Sequence, residues 1–181
     1  VIGLAEAGLA PSAEEDAIEV HDTFEGNAVA KARWYAARTG LPCVADDSGL
    51  AVDALAGAPG VRSRRFAADR GIVHPQGEDA ANNAALLAAL GASGAAEPWT
   101  GRYVCVAAWC DGGDAVHARG ECGGRIVRVP RGEHGFGYDP FFVADDLGRA
   151  FAEATVEEKA AVSHRGRAFA ALLARLAERR P

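Results

Sequence analysis

The spacing of apolar and polar positions predicts helical and extended segments in alternation along this chain. Residues 1–22 are acidic and turn-like, and the run FEGNAVAKARWYAARTG then carries good helix formers. Thr23 caps its start, and Gly40 with Pro42 closes it. Gly26 occupies the third helical position, where a capping box would carry Glu. Apolar residues 43–45 predict a short buried strand, Ser48-Gly49 a turn, and 50–52 a second extended piece. A Gly/Pro-rich loop, LAGAPGVRSRRF, leads to EDAANNAALLAAL, a predicted helix over 78–90 that Gly91 ends. From Thr100 the pattern turns to strands, RYVCVAAWC, DAVHARGECGG and RIVRVP, with Asp111-Gly112-Gly113 as a hairpin turn. The loop RGEHGFGYDP leads into a further strand at FFV. Thr155 and Glu158 form a capping box for one long amphipathic helix running to about Arg179.

The order helix, strands, helix, antiparallel-looking strands, helix predicts a mixed α/β fold with one sheet covered by helices. It is not the clean βαβ alternation of a Rossmann or flavodoxin-like fold. A length of 181 residues without internal repeats fits one domain over 1–181. The net charge of −6 argues against a nonspecific nucleic-acid binder, which needs a basic face, but it leaves room for a small nucleotide. Cys43, Cys105, Cys110 and Cys122 show neither C-x-x-C pairing nor zinc-finger spacing, so they read as small apolar residues of a reduced protein. No apolar run of membrane length and no signal peptide occur, which predicts a cytoplasmic protein without a membrane partner. Methionine is absent altogether and the chain opens abruptly with VIGLAEAGLA, so it is expected to begin inside a longer protein.

Four stretches could carry chemistry. In PCVADDSGLAV two carboxylates stand side by side where an apolar run ends. Strand alternation sends Asp46 and Asp47 to opposite faces, so at most one of them serves a pocket; a plain polar strand end is the other reading. The predicted turn at Ser48-Gly49 would offer backbone N–H groups to an anion beside a cation held by a carboxylate. In HGFGYDPFF, Gly135 and Gly137 let the backbone approach a ligand, and an exposed aromatic would stack on a base. A Gly-rich turn with its aromatics tucked into the core is the other and commoner reading, and Pro140 makes Asp139 extended. In EEKAAVSHRGR, Lys159 and Ser163 are four apart with His164 and Arg165 beside them. That cluster suits a phosphate or the carbonyl oxygens of a base, or a solvated helix face. Gly166 costs about 1 kcal/mol in a helix interior, which points to a close approach by ligand or backbone. Asn27 and Lys31, one turn apart, fit phosphate recognition or an exposed face. The basic loop of Arg62, Arg64 and Arg65 fits substrate, a partner subunit or solvent.

Together, carboxylates, an aromatic Gly-rich loop and a cationic helix would make a nucleoside triphosphate site. A carboxylate beside a polyanion is repelled by roughly 4 kcal/mol for unit charges about 4 Å apart at an effective dielectric of about 20. A divalent cation converts that repulsion into a bridge, and Mg²⁺ takes one or two carboxylates and completes its shell with water and phosphate oxygens. The P-loop pattern is absent from the chain.

These blocks resemble the inosine/xanthosine triphosphate pyrophosphatase family. TFEGNAVAKAR is similar to its T-F-x-E-N-A-x-x-K-A, and VADDSGLAVDALAGAPGVRSRRF to its A-D-D-S-G-L…L-x-G-x-P-G-x-x-S-x-R-[FYW]. PRGEHGFGYDPFF and EEKAAVSHRGRAF resemble its last two blocks, in order and spacing. The resemblance implies Mg²⁺-dependent hydrolysis of non-standard purine nucleoside triphosphates (dITP, ITP, XTP) to the monophosphate and pyrophosphate. It implies Asp47 as proton acceptor and metal ligand and Glu19 as the other metal-site carboxylate. Ser48 would contact substrate, and Phe136, Gly137, Tyr138 and Asp139 would form the base pocket. Lys159, His164 and Arg165 would read the 6-oxo purine, with Asn27 and Lys31 as further carry-overs. The implied fold is an elongated two-lobed mixed α/β structure with a central twisted mixed sheet flanked by helices (shared with the Maf group), assembled as a homodimer. Two departures stand out. The family's opening strand and [ST]-x-N-x-x-K phosphate loop are not found in residues 1–22, which makes a nucleotide-binding protein without turnover the alternative; and Gly26 replaces the usual Glu. The F-G-Y-D and S-H-R blocks argue against the pyrimidine-directed Maf activity.

Overall fold

The computed structural model describes residues 1–9, 14 and 17–179, so part of the turn-like stretch expected over 1–22 lies outside the described residues. The fold is mixed α/β, as the pattern predicts. Helices α1 (Phe24–Thr39), α2 (Glu78–Ala92), α3 (Val156–Val162) and α4 (His164–Glu178) accompany a five-stranded sheet. Its strands are β1 (Cys43–Val52), β2 (Trp99–Cys110), β3 (Ala115–Ile126), β4 (Phe142–Ala144) and β5 (Arg149–Ala150), ordered β1-β2-β3-β4-β5. The pairs β3–β4 and β4–β5 are antiparallel, with Arg125 opposite Val143 and Val143 opposite Ala150. No helix among the described residues is long and apolar enough to cross a membrane.

Contacts divide the chain into two compact units. One comprises the described residues of Val1–Asp47, Val106–Arg119 and Ala168–Pro181, the other Ser48–Cys105 and Gly120–Arg167. In the first, Ala28, Ala32 and Ala36 recur every fourth residue of α1 and are buried, so small side chains make up that helix face. Thr23 accepts from Gly26 N–H at 3.0 Å, and Gly40 takes the left-handed conformation that ends α1, as expected. In the second unit the core gathers Leu50 and Val52 of β1, Leu86 and Leu90 of α2, Trp99 and Tyr103 of β2, and Phe142 and Phe151.

Five local expectations are corrected. Asp139 is not extended but opens a single 3-10 turn, Asp139–Phe141, and DAVHARGECGG joins the start of RIVRVP in one strand that ends at Ile126. No turn forms at Ser48-Gly49, and 43–52 is one strand. Residues 49–52 are all buried, and an extended strand in the sheet keeps their backbone groups paired where a turn would leave them away from water. Gly91 does not end α2, which continues to Ala92; Ser93 Oγ and N–H both bond the Leu90 carbonyl, and the left-handed glycine is Gly94. The final helix is two helices. Ser163, with ψ 152°, breaks the ladder after α3, and its hydroxyl accepts from Gly166 N–H at 3.1 Å, capping α4.

The capping box does form at α3. Glu158 N–H donates to Thr155 Oγ1 at 3.2 Å, while Glu158 accepts from Thr155 N–H at 2.9 Å. Thr155→Ala is expected to cost about 1 kcal/mol and to lower Tm by about 2–4 °C, measured by thermal denaturation.

Candidate active site

The first arrangement lies in the unit that contains α1. Asn27 and Lys31, one turn apart, share a helix face, and β1 brings Asp47, 7% exposed, against them. The Lys31 ammonium donates to Asp47 Oδ1 and to Glu19 Oε1, each at 2.9 Å. Asn27 Nδ2 donates to the second Asp47 oxygen at 3.2 Å, and Asn27 Oδ1 accepts from His21 N–H at 2.9 Å. Burial raises the Asp47 pKa above the ordinary carboxylate value, against the pull of the Lys31 charge and its hydrogen bond. For Lys31 burial works to lower the pKa, but the Asp47 and Glu19 carboxylates outweigh it and raise the pKa. The result is a charged lysine and an aspartate more basic than usual, the property a proton acceptor needs.

Glu19 and Asp47 accept from one ammonium, so both carboxylates are within reach of a single small cation. No group of three or more His, Cys, Asp or Glu among the described residues is arranged to hold a metal. A pair of carboxylates is nonetheless the donor set that suits Mg²⁺, which keeps water and phosphate oxygens for its remaining positions. Gly26 adds no third carboxylate for a steric reason. A Cβ there would stand 2.7 Å from His21 Cβ and 3.0 Å from Thr23 Oγ1.

The second arrangement is a cavity of about 670 Å³ in the other unit. Ser48 and Arg165 line it together, and Arg165 Nη2 donates to Ser48 Oγ at 3.1 Å. The 134–139 loop supplies one wall and the α3–α4 junction another. Phe136 is 65% exposed, so its ring is available to a planar ligand, whereas Tyr138 is 4% exposed and donates to the Ser63 carbonyl at 2.8 Å. Of the two aromatics in the loop, Phe136 presents a face and Tyr138 anchors. Asp139 is buried; its Oδ2 accepts from Phe136 N–H at 3.0 Å and from the Lys159 ammonium, and its Oδ1 from Tyr103 at 3.4 Å. Lys159 also lies over the rings of Phe136 and Phe151, at 4.9 and 5.1 Å. His164 stacks face to face on Tyr103, with centroids 4.7 Å apart and planes at 10°.

Of the substrate residues expected from sequence, Ser48, Phe136, Gly137, Tyr138 and Asp139 line this cavity, as do Lys159, His164 and Arg165. Asn27 and Lys31 belong instead to the Asp47 cluster. The anion-binding turn at Ser48-Gly49 is absent because β1 runs straight through. Gly166 does mark a close approach, to backbone: a Cβ would stand 2.2 Å from the Ala160 carbonyl oxygen, so the α3–α4 break needs glycine there. Arg62 is engaged bidentately by Asp69, whereas Arg64 lines the cavity. Sequence reasoning missed Tyr103, Ser63, Asn82 and Asp79, which also line the cavity. Ser63 stands at the fixed serine of the P-G-x-x-S-x-R block, though no role was assigned to it; nothing in the spacing of Tyr103, Asn82 and Asp79 distinguishes them, since they arrive from β2 and α2.

Comparison with known proteins places this chain in a family. The sequence model of the Ham1 family matches residues 3–175. The chain belongs to the Ham1 family. It is 52% identical over 164 residues to a dITP/XTP pyrophosphatase of Nocardia farcinica, covering 90% of this chain and 76% of that protein. A dITP/XTP pyrophosphatase of Symbiobacterium thermophilum is 48% identical over 175 residues, covering 96% of this chain and 83% of its own length. Among solved structures, a HAM1 protein from Coxiella burnetii superposes with a TM-score of 0.81 at 37% identity, over 98% of this chain and 85% of that one. Ham1 membership accounts for the order of the four sequence blocks, and the two arrangements above are where those blocks come to rest.

Proposed function

We propose that this Ham1-family chain hydrolyses the non-standard purine nucleoside triphosphates dITP, ITP and XTP to the monophosphate and pyrophosphate. The observation that carries the reading is the cavity in which an exposed Phe136 ring, the Lys159 ammonium, His164 and the Arg165 guanidinium meet. An aromatic face takes any base, but a wall of donors favours a purine with oxygen at C6 over adenine, whose exocyclic amine offers donors to donors. Dissimilar pairing of this kind leaves buried polar groups unmatched, which is the basis of strong discrimination. Relatives that carry the name dITP/XTP pyrophosphatase support the same substrate class.

The residues divide the work. Asp47, raised in basicity by burial, takes the proton of the attacking water. Lys31 and Asn27 hold its two oxygens and so fix its direction. Glu19 and Asp47 would hold Mg²⁺, which when bound supplies charge neutralisation at the phosphates and a more acidic water. Lys159 is oriented by Asp139, and His164 by its stack on Tyr103, before any base arrives. Ser48, the residue after Asp47, is tethered to Arg165. The same reading carries a homodimeric assembly and a cytoplasmic location.

With Mg²⁺ present, the full-length protein is expected to release pyrophosphate from dITP and XTP with kcat/KM at least about 100-fold above that for dATP, and well above that for dGTP, which bears an amine at C2. Equal rates on all four purines would overturn the specificity, and binding without release of pyrophosphate would overturn the catalysis.

A further inference from the structure

Helix α2 is not part of any sequence block assigned to the reaction, yet two of its side chains grip the base-facing loop. Asp79 Oδ2 accepts from Gly137 N–H at 2.8 Å, and Asn83 Nδ2 donates to Gly137 C=O at 2.9 Å. Positions 79 and 83 are one helical turn apart on α2, so a single helix face presents an acceptor and a donor to the two polar groups of one residue. Gly137 has φ +59°, a conformation that residues with a Cβ rarely adopt. The residue before it is Phe136, whose ring is exposed and lies over Lys159. Phe136 is held from its other side as well, since its N–H donates to Asp139 and its carbonyl accepts from Asp139 N–H at 3.2 Å.

Asn83 makes the grip at a cost. Its Oδ1 is buried with no hydrogen-bond partner among the described residues, so the bond from Nδ2 to Gly137 is the one its amide makes there. Asp79 is exposed in the first turn of α2, where a carboxylate also suits the helix N-terminus, and its Oδ2 is the atom that holds Gly137 N–H.

We infer that Asp79 and Asn83 are positioning residues that clamp Gly137 and thereby set the Phe136 ring where a purine base stacks. This rests on the reading of Phe136 as the stacking face. The clamp acts on binding of the base and not on the phosphoryl step, because neither residue belongs to the Asp47 cluster. Without the clamp, the loop keeps its Asp139 bonds but loses the constraint on the peptide that follows the ring. The base then has to order that peptide when it binds, which weakens affinity while leaving the bound geometry reachable.

The test is steady-state kinetics of the full-length protein with dITP and Mg²⁺. Asp79→Ala is expected to raise KM about tenfold, the loss of one hydrogen bond to a charged acceptor, with kcat changed by less than about twofold. Asp79→Asn, which keeps an acceptor oxygen, is expected to recover most of that loss. Asn83→Ala should shift KM in the same direction by about fivefold. The deciding measurement is a double-mutant cycle with Phe136→Ala. If the clamp works through the ring, Asp79→Ala has no further effect on KM once the ring is gone. Additive losses, or a fall in kcat with KM unchanged, would overturn the clamp. A Phe136→Ala variant with wild-type KM would instead overturn the stacking reading on which it rests, so the two failures are distinguishable.

Discussion

Asp47→Asn is expected to reduce turnover of dITP by at least about 1000-fold, within the range that a positioned acid–base group contributes, while the protein stays folded. The side chain keeps its shape but loses both proton affinity and the charge a cation needs. Stability is expected to be retained because of the direction of the Asp47 shift. Its pKa is raised in the fold by burial, so the native state favours the neutral form over the carboxylate. A carboxyl with a raised folded pKa stabilises below its unfolded pKa, and that contribution is lost as pH rises through the folded value. At neutral pH a permanently neutral amide therefore removes an unfavourable buried charge, at the expense of one of the two bonds that Asp47 accepts, because its NH2 then faces a donor of Lys31 or Asn27; Lys31 retains Glu19. Tm is expected to stay within about 4 °C of the parent. Pyrophosphate release and thermal melting, measured on the same preparation, check both halves. Retained activity would move the proton acceptor elsewhere, and an unfolded variant would make the cluster a structural one.

Gly132→Ala is expected to cause the largest loss of stability of any single methyl group added to the 130–138 loop. Gly132 has φ +78°, and a Cβ there would stand 2.2 Å from the Ala152 carbonyl oxygen, 2.3 Å from its carbon and 2.5 Å from Glu153 N. All three atoms are backbone and cannot swing aside. Left-handed backbone costs a residue with a Cβ about 1–2 kcal/mol, and forced overpacking typically a further 1–3 kcal/mol. A loss of about 3 kcal/mol is expected, lowering Tm by about 6–12 °C. The neighbouring bonds Arg131 N–H to Pro140 O at 2.9 Å and His134 N–H to Ala152 O at 3.0 Å hold the loop in place, so the clash displaces the segment bearing Phe136 and raises KM for dITP too. Gly148→Ala is the control: φ is +65° but a Cβ meets nothing within 4 Å, so only the smaller conformational cost should appear. Equal losses in the two variants would show that the Ala152 contact relaxes.

Both predictions depend on a residue and its surroundings that are far apart in the chain. The Asp47 cluster joins residues 19, 27, 31 and 47, and the cavity draws on segments from Ser48 to Arg165. Each helps to explain why motif spacing carried so much of the site. Blocks that serve one reaction hold short, sequence-local geometry, such as Asn27 and Lys31 one turn apart or the Phe136 loop with its glycines. The same locality explains the errors. Ser48-Gly49 has turn-forming residues, yet burial on the flanking β1 positions makes extended backbone the only arrangement that keeps its amides paired. The run from Thr155 to Arg179 has continuous helical periodicity, yet Ser163 caps a new helix, with glycine at 166 admitting the Ala160 carbonyl.

The chain's own pattern determined the fold class, the start and end of α1, the capping box at Thr155 and, through four motif blocks, the Ham1 lineage; it also singled out Glu19, Asn27, Lys31 and Asp47 and eight of the residues that line the cavity. These are properties of local backbone chemistry and of residue types at fixed separations, which a linear string records directly. Only the tertiary structure decided that Asp47 is the aspartate held by Lys31 and Asn27, that Tyr138 anchors while Phe136 presents its face, and that Tyr103, Asp79 and Asn83 support the site. Those assignments rest on burial and on partners brought together from positions 16 to 75 residues apart, as with Lys31 and Asp47 or Tyr138 and Ser63. Burial sets which groups must find a partner, and packing sets which partner is within reach, and neither is written in the spacing of the chain.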